Sequence, residues 1–265
     1  ALAGGVVANV KLNQRIAQAP GVSRVFVYPA MNDSGTGAGA GMVLQAEKGG
    51  LRPARLPDVF LGPGFSEKDV EAALSGKGLQ ARRMANPPEE IGELLAQGKT
   101  VARCAGRMEY GPRALGNRSI LFHARDPRAN QWLNEKLKRT EFMPFAPATL
   151  AEEAQRCYLN LEVAADAARF MTITYDCTDF MKQNSPAAVH VDGTARPQLV
   201  DGVTNPSFHA ILSAYFRRTG IPSVLNTSFN IHEEPIVCTP ADAVATFLAG
   251  DLDYLALEHV LVSRS

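Results

Sequence analysis

Between Gly106 and Ser119 the sequence reads G-R-M-E-Y-G-P-R-A-L-G-N-R-S. Three arginines, Arg107, Arg113 and Arg118, alternate there with Gly106, Gly111 and Gly116. A planar guanidinium fork matches two oxygens of a phosphate or carboxylate at once. Glycine permits the turns and close approaches that would gather such forks around one ion. The spacing predicts an anion-binding loop; a solvated turn carrying surface arginines is the plain structural alternative.

Three more polar clusters share this half of the chain. Lys138 and Arg139 end a basic helix, where positive charge also suits the helix dipole. The segment H-V-D-G-T-A-R, residues 190–196, carries Arg196 on what reads as a hairpin. The segment N-T-S-F-N, residues 226–230, follows a strand, so Asn226, Ser228 and Asn230 stand where amides and hydroxyls meet phosphates or a base. Converging arginines repel one another by about 4 kcal/mol per pair at roughly 4 Å and an effective dielectric near ~20. A shared cavity would therefore demand a polyphosphate or carboxylate ligand. His190 reads first as a satisfied core or edge histidine, Asp192-Gly193 makes a good turn in any case, and Asn226 and Asn230 can cap backbone. Nearer the start, Asp33, Ser34, Gly35 and Thr36 lie between a strand and a glycine- and alanine-rich run. That layout suits a phosphate or metal site, and tight helix packing accounts for it equally well. No Walker loop, dinucleotide fingerprint, zinc-protease helix or nucleophile elbow occurs.

The elements that must position these groups follow from periodicity and punctuation. Helices are predicted over residues 4–17, 66–74, 88–97, 126–138, 205–220 and 239–250, several announced by Asn-Pro, Asp-Pro or Thr-Pro and closed by Gly98, Gly220 or Gly250. Strands are predicted over residues 22–28, 100–105, 119–124, 170–177, 222–225 and 254–262, with a hairpin pairing 187–191 and 196–200. Residues 48–66, rich in proline and glycine, read as a connector. Without strict strand-helix alternation, the expectation is an α/β protein with a mixed, twisted sheet. The 265 residues suffice for one large domain or two small ones. With 27 basic and 27 acidic side chains the net charge is zero, which argues against a general nucleic-acid or acidic-membrane binder. No apolar run is long enough to span a bilayer, and the first residues do not read as a signal peptide. The missing initial methionine and a mid-domain opening suggest a fragment or processed chain. The four scattered cysteines read as buried thiols in a reducing compartment, with the cytoplasm as the default.

The stretches G-R-M-E-Y-G-P-R-A-L-G-N-R-S-I-L, F-M-P-F-A-P-A, H-V-D-G-T-A-R-P-Q and L-N-T-S-F-N-I-H-E-E-P-I-V resemble the C-terminal, YrdC-like domain of antibiotic and nodulation-factor O-carbamoyltransferases. G-G-V-V-A-N and P-A-M-N-D-S-G-T-G-A-G-A resemble the closing part of that family's actin/Hsp70-like ATPase domain. The resemblance implies an ATPase-like tail over residues 1–50, a linker over 51–66 and a YrdC-like domain over 67–265. It implies carbamoyl-adenylate formation from carbamoyl phosphate and ATP, with Mg2+ on the nucleotide, then transfer to a hydroxyl of a small molecule or glycan at a domain holding iron or another divalent metal. Arg107, Arg113, Arg118, Lys138, Arg139 and Arg196 would hold the phosphates; Asn226, Ser228 and Asn230 would line the nucleotide site. Asp33 matches the family's metal-ligand aspartate, and Asn9 falls in the glycine motif of the other nucleotide pocket. The family's metal histidines lie in the upstream half of the ATPase-like domain, which this sequence lacks, and the spacing of Lys138-Arg139 departs from that of relatives. Related YrdC-like domains that serve tRNA threonylcarbamoylation or hydrogenase maturation, or a nucleotide- or RNA-binding module without turnover, are the alternatives; neutral charge weighs against nucleic acid.

Overall fold

The computed structural model describes residues 1–50, 52, 55–136, 145–231 and 233–264. The chain opens with a 3-10 turn, Gly5–Ala8, followed by α1 (Val10–Ala17) and α2 (Thr36–Glu47). Next come α3 (Glu67–Leu74), β1 (Gln80–Arg83), α4 (Pro87–Ala96), β2 (Val101–Cys104), β3 (Arg118–His123), α5 (Ala129–Lys136) and β4 (Ala146–Leu150). Short pieces follow: α6 (Ala154–Cys157), α7 (Ala165–Ala168), β5 (Tyr175–Asp176), α8 (Asp179–Asn184), β6 (Thr194–Ala195) and β7 (Gln198–Val200). The end is regular again: α9 (Pro206–Thr219), β8 (Ser223–Ser228), α10 (Pro240–Ala249), β9 (Tyr254–Leu257) and β10 (Val260–Ser263).

Helix starts obey local chemistry. Ser66 with Asp69, and Thr239 with Asp242, form reciprocal capping boxes on α3 and α10. Asn86 and Asn205, each followed by proline, accept from the third helical amide of α4 and α9. Gly220 closes α9 in the left-handed region, at φ 69°.

Eight strands form one mixed sheet in the order β1-β10-β9-β2-β3-β8-β4-β7. The β2–β9 and β4–β7 pairs are parallel and the others antiparallel. The expected mixed α/β sheet is thus present. Successive residues alternate between two cores. Val101, Leu121 and Val224 meet α4 and α9 through Ile91, Leu95, Phe208 and Leu212. Ala102, Ile120 and Leu225 face the core that includes Val70 of α3 and Val244 and Phe247 of α10.

Several expected strands are shorter or differ in kind. Over residues 22–28 there is only an isolated bridge, Leu2 to Val27: the alternation buries Val25 and Val27 but no strand pairs alongside. From residues 170–177 only the end pairs: Tyr175–Asp176 with Thr194–Ala195, and Cys177 by an isolated bridge with Tyr158. The expected hairpin of residues 187–200 does not form. Pro197, which has no N–H to donate, separates β6 from β7, and β7 joins the large sheet beside β4 instead. Residues 254–262 are a hairpin rather than one strand, turning at Glu258, whose φ is +49°. Strands β1 and β4 were not expected: every residue of Q-A-R-R is exposed, and A-P-A-T-L carries a proline. Among the described residues, no helix is long and apolar enough to cross a membrane.

The first 34 residues lie against the sheet domain. Buried Asn13 donates to Val7 O and Thr172 O, both at 2.7 Å. Tyr110 Oη donates to Ser34 O at 3.0 Å.

Candidate anion site

Strands β2 and β3 are joined by the arginine-bearing loop, which folds around one carboxylate. Glu109 is buried, and its Oε1 accepts from the amides of Leu115 (2.7 Å), Asn117 (2.7 Å) and Arg118 (3.2 Å). From β2, buried Arg103 donates to Gly116 O, to Asn117 Oδ1 (2.9 Å) and to Ser207 Oγ (2.6 Å). Gly116 sits at φ +109°, and a Cβ there would lie 2.3 Å from the Phe208 ring. Gly116→Ala combines left-handed strain with a clash against an immobile core ring. It is expected to cost more than about 2 kcal/mol in urea unfolding; a variant as stable as the parent would refute the close approach.

The expected arginines divide into two groups. Arg118 is fully buried and donates to five backbone carbonyls: Cys238 (3.0 Å), Ala105 (3.2 Å), Gly106 (3.2 Å), Asn117 (2.9 Å) and Pro63 (3.3 Å). Arg107 donates to Gly62 O (2.9 Å) and Leu61 O (2.7 Å), pinning the segment before α3 to the loop. Their donors serve the fold, because strand alternation turns Arg118 to the α10 side of the sheet with Ile120.

Arg113 and Arg196 are different. Both side chains are half-buried. Among the described residues neither forms an ion pair, and Arg113 Nε is buried with no hydrogen-bond partner. Burial lowers the pKa of Arg113; burial first, and then the charge of Arg113, pull Arg196 down to about 9. Two cations therefore repel each other, and no acid among the described residues pairs with either. The backbone that carries them is knitted together by amides. Gln198 Nε2 donates to Leu115 O at 2.7 Å, and Asn226 Nδ2 donates to Gln198 Oε1 at 2.8 Å and Ala114 O at 3.3 Å. Asn226 Oδ1 is buried without a partner. Gln198 was not singled out from the sequence; its only signal was its place in the motif that contains Arg196.

Ser228 stands two residues beyond Asn226, on the same face of β8, and donates to Asn230 Oδ1 at 2.6 Å. Asn230 in turn donates to Glu234 O at 2.7 Å. The Asp192 carboxylate meets Lys11 Nζ at 2.8 Å and accepts from Thr194 N and Oγ1 at 3.1 and 2.6 Å. Lys11, then Thr194, hold its carboxyl well below the usual range. A depressed carboxylate contributes stability above its unfolded pKa of about 3.9 and loses it as pH falls through the lower folded value. A proton-resonance titration should thus place the Asp192 midpoint below ~3.9; a midpoint at or above it would refute the Lys11 contact. His190 Nδ1 lies 3.2 Å from Thr194 Oγ1, and its pKa is lowered chiefly by burial.

Two expected residues stand apart from this cluster. Asn9 is exposed and caps α1, accepting from the Leu12 amide at 3.0 Å. Asp33 is exposed at the edge of a cleft of about 470 Å3 shared with Tyr28, Met31 and Met42. Among the described residues no three histidines, cysteines, aspartates or glutamates cluster, so Asp33 offers too few donors to hold a divalent ion by itself. Lys138 and Arg139 lie outside the described residues.

Residues 92–264 match the family model described as "Carbamoyltransferase C-terminus", and residues 1–42 match "Carbamoyltransferase N-terminus". The uncharacterized protein MJ1058 of Methanocaldococcus jannaschii is 37% identical over 100% of this chain and 44% of its own length. Nodulation protein NolO of Bradyrhizobium diazoefficiens is 37% identical over 99% of this chain and 49% of its own. The chain therefore spans less than half the length of these relatives. A crystal structure of full-length HypF in a phosphate- and nucleotide-bound form aligns over 65% of this chain and 25% of its own, at TM-score 0.45 and 19% identity, too distant to bear on fold or site. The C-terminal family model covers the arginine loop, the segment with Arg196 and the strand with Asn226 in one continuous match, and the chain belongs to the carbamoyltransferase family.

Proposed function

We propose that this chain carries the adenylate-forming site of an O-carbamoyltransferase, in which water cleaves carbamoyl phosphate to carbamate and phosphate, and a carbamate oxygen then attacks the α-phosphorus of ATP, releasing pyrophosphate and giving carbamoyl-adenylate for delivery to a hydroxyl of a small molecule or glycan. The observation that carries this reading is the pair Arg113 and Arg196: two cations in a partly enclosed setting, the charge of Arg113 lowering the pKa of Arg196, without an ion pair among the described residues. Such a pair is satisfied by an anion with oxygens to spare, as phosphates have. Asn226 Oδ1, buried and lacking a donor, suits an amino group, which both the carbamoyl unit and adenine possess. Catalysis by these groups would consist of positioning and charge stabilisation at phosphorus.

Lys138, Arg139, Ser228 and Asn230 extend the proposed set by resemblance, with Mg2+ on the nucleotide. Arg107 and Arg118 support the loop and leave phosphate contact to Arg113 and Arg196. Asp33 contributes a single carboxylate, so no step is assigned to a metal here; the iron or other divalent ion, and the acceptor, belong with the rest of the ATPase-like domain. Residues 1–50 form the tail of that domain, 51–66 the linker and 67–265 the YrdC-like part. Four cysteines without disulfides accord with a cytoplasmic setting.

The test uses the full chain with ATP, carbamoyl phosphate and labelled pyrophosphate. Label should enter ATP only when carbamoyl phosphate is present. A folded sample that binds ATP without exchange would sink the enzymatic reading and leave a nucleotide-binding module.

A further inference from the structure

We propose that Glu109 is a positioning residue for the anion site, holding the backbone that aims Arg113 at Arg196. The inference rests on the functional reading above. Between β2 and β3 the chain has no regular structure of its own, so its buried amides need acceptors from elsewhere. Glu109 Oε1 supplies one acceptor to Leu115, Asn117 and Arg118 together. Leu115 is two residues from Arg113 and also accepts from Gln198, so the point fixed by the carboxylate is the point joined to the Arg196 segment. The other side of the turn is clamped by Arg103, whose charge Glu109 stabilises more than any other group does. Glu109 itself is sealed off: Oε1 is fully used, and Oε2 is buried and touches no donor. It acts on a ligand only through the loop.

Neither substitution replaces this carboxylate in full. Glu109→Ala strands three amides at once. Glu109→Gln keeps an acceptor, but it removes the charge opposite Arg103 and buries an amino group where Oε2 now has no partner. Val70→Ala, in the core beside α10 and away from the loop, is the control for general destabilisation.

The experiment measures pyrophosphate affinity by calorimetry and amide exchange by mass spectrometry for the full chain and the three variants. Glu109→Ala should bind pyrophosphate about tenfold more weakly, Glu109→Gln several-fold, and Val70→Ala as the parent does. Peptides containing Leu115 and Asn117 should exchange faster in the Glu109 variants alone. If Glu109→Ala does not fold, Glu109→Gln decides the matter. Parent-like affinity in the Glu109 variants, or unchanged exchange in the loop, overturns the proposal. If the parent chain itself fails to bind pyrophosphate, the functional reading falls, and parent-like loop exchange in the Glu109 variants then removes the positioning role as well.

Discussion

Arg196→Gln should make the free chain more stable and abolish pyrophosphate exchange. In the free state Arg196 lies near Arg113 without an ion pair among the described residues, and burial followed by the charge of Arg113 pulls its pKa down to about 9. Replacing it by a neutral side chain of similar length removes both the burial penalty and the repulsion. By analogy with other buried charges, the gain is about 1–2 kcal/mol, or several degrees in Tm. The same charge is what a phosphate would bind, so exchange should fall by about 100-fold or more. Arg113→Gln should act in the same direction, with a smaller thermal gain because its pKa is displaced by burial alone. Adding pyrophosphate should raise the Tm of the parent chain and leave that of Arg196→Gln almost unmoved. A destabilised Arg196→Gln would show that the guanidinium has a structural partner, and the anion site would lose its basis.

Arg118 should behave in the opposite way. Its guanidinium satisfies five carbonyls from three separate stretches: the arginine loop with its flanks, the segment before α3 and the one before α10. Arg118→Ala removes a donor from all five oxygens at once, leaving Asn117 O and Pro63 O only the amides of Ala105 and Met108, and it empties the volume of the largest fully buried side chain among the described residues. The expected cost is about 3–5 kcal/mol, enough to abolish folding in a marginal domain. Arg118→Lys keeps the charge, but it cannot reproduce a five-way fork and should recover only part of the loss. Urea unfolding followed by tryptophan fluorescence at Trp132 would measure both variants. If Arg118→Ala folds with parent-like stability and only exchange is lost, Arg118 belongs to the phosphate set expected from the sequence.

Arg113 and Arg118 are five residues apart in the same motif, and nothing local distinguishes them. Arg113 precedes the Ala114-Leu115-Gly116 turn and stays beside the Arg196 segment. Arg118 begins β3 opposite Cys104 of β2, and the alternation of that strand sets which side of the sheet receives it. The same limit explains residues 187–200. Alternation and Asp192-Gly193 make a local case for a hairpin, but pairing partners come from β5 and β4, more than a dozen residues away. Strand β1 is exposed at all four positions and exists because β10 offers it an edge.

Sequence alone determined where α3, α9 and α10 start, because a cap and its amide are at most three residues apart. It also determined that residues 106–119 act as one unit and which family that unit belongs to, because composition and motif survive without coordinates. Tertiary structure alone decided which guanidinium groups are tied to carbonyls and which are left without partners. It alone made Glu109 the centre of the loop. Those outcomes depend on backbone oxygens and amides brought from distant segments, and a side chain's identity does not say which of them will lie within hydrogen-bond reach.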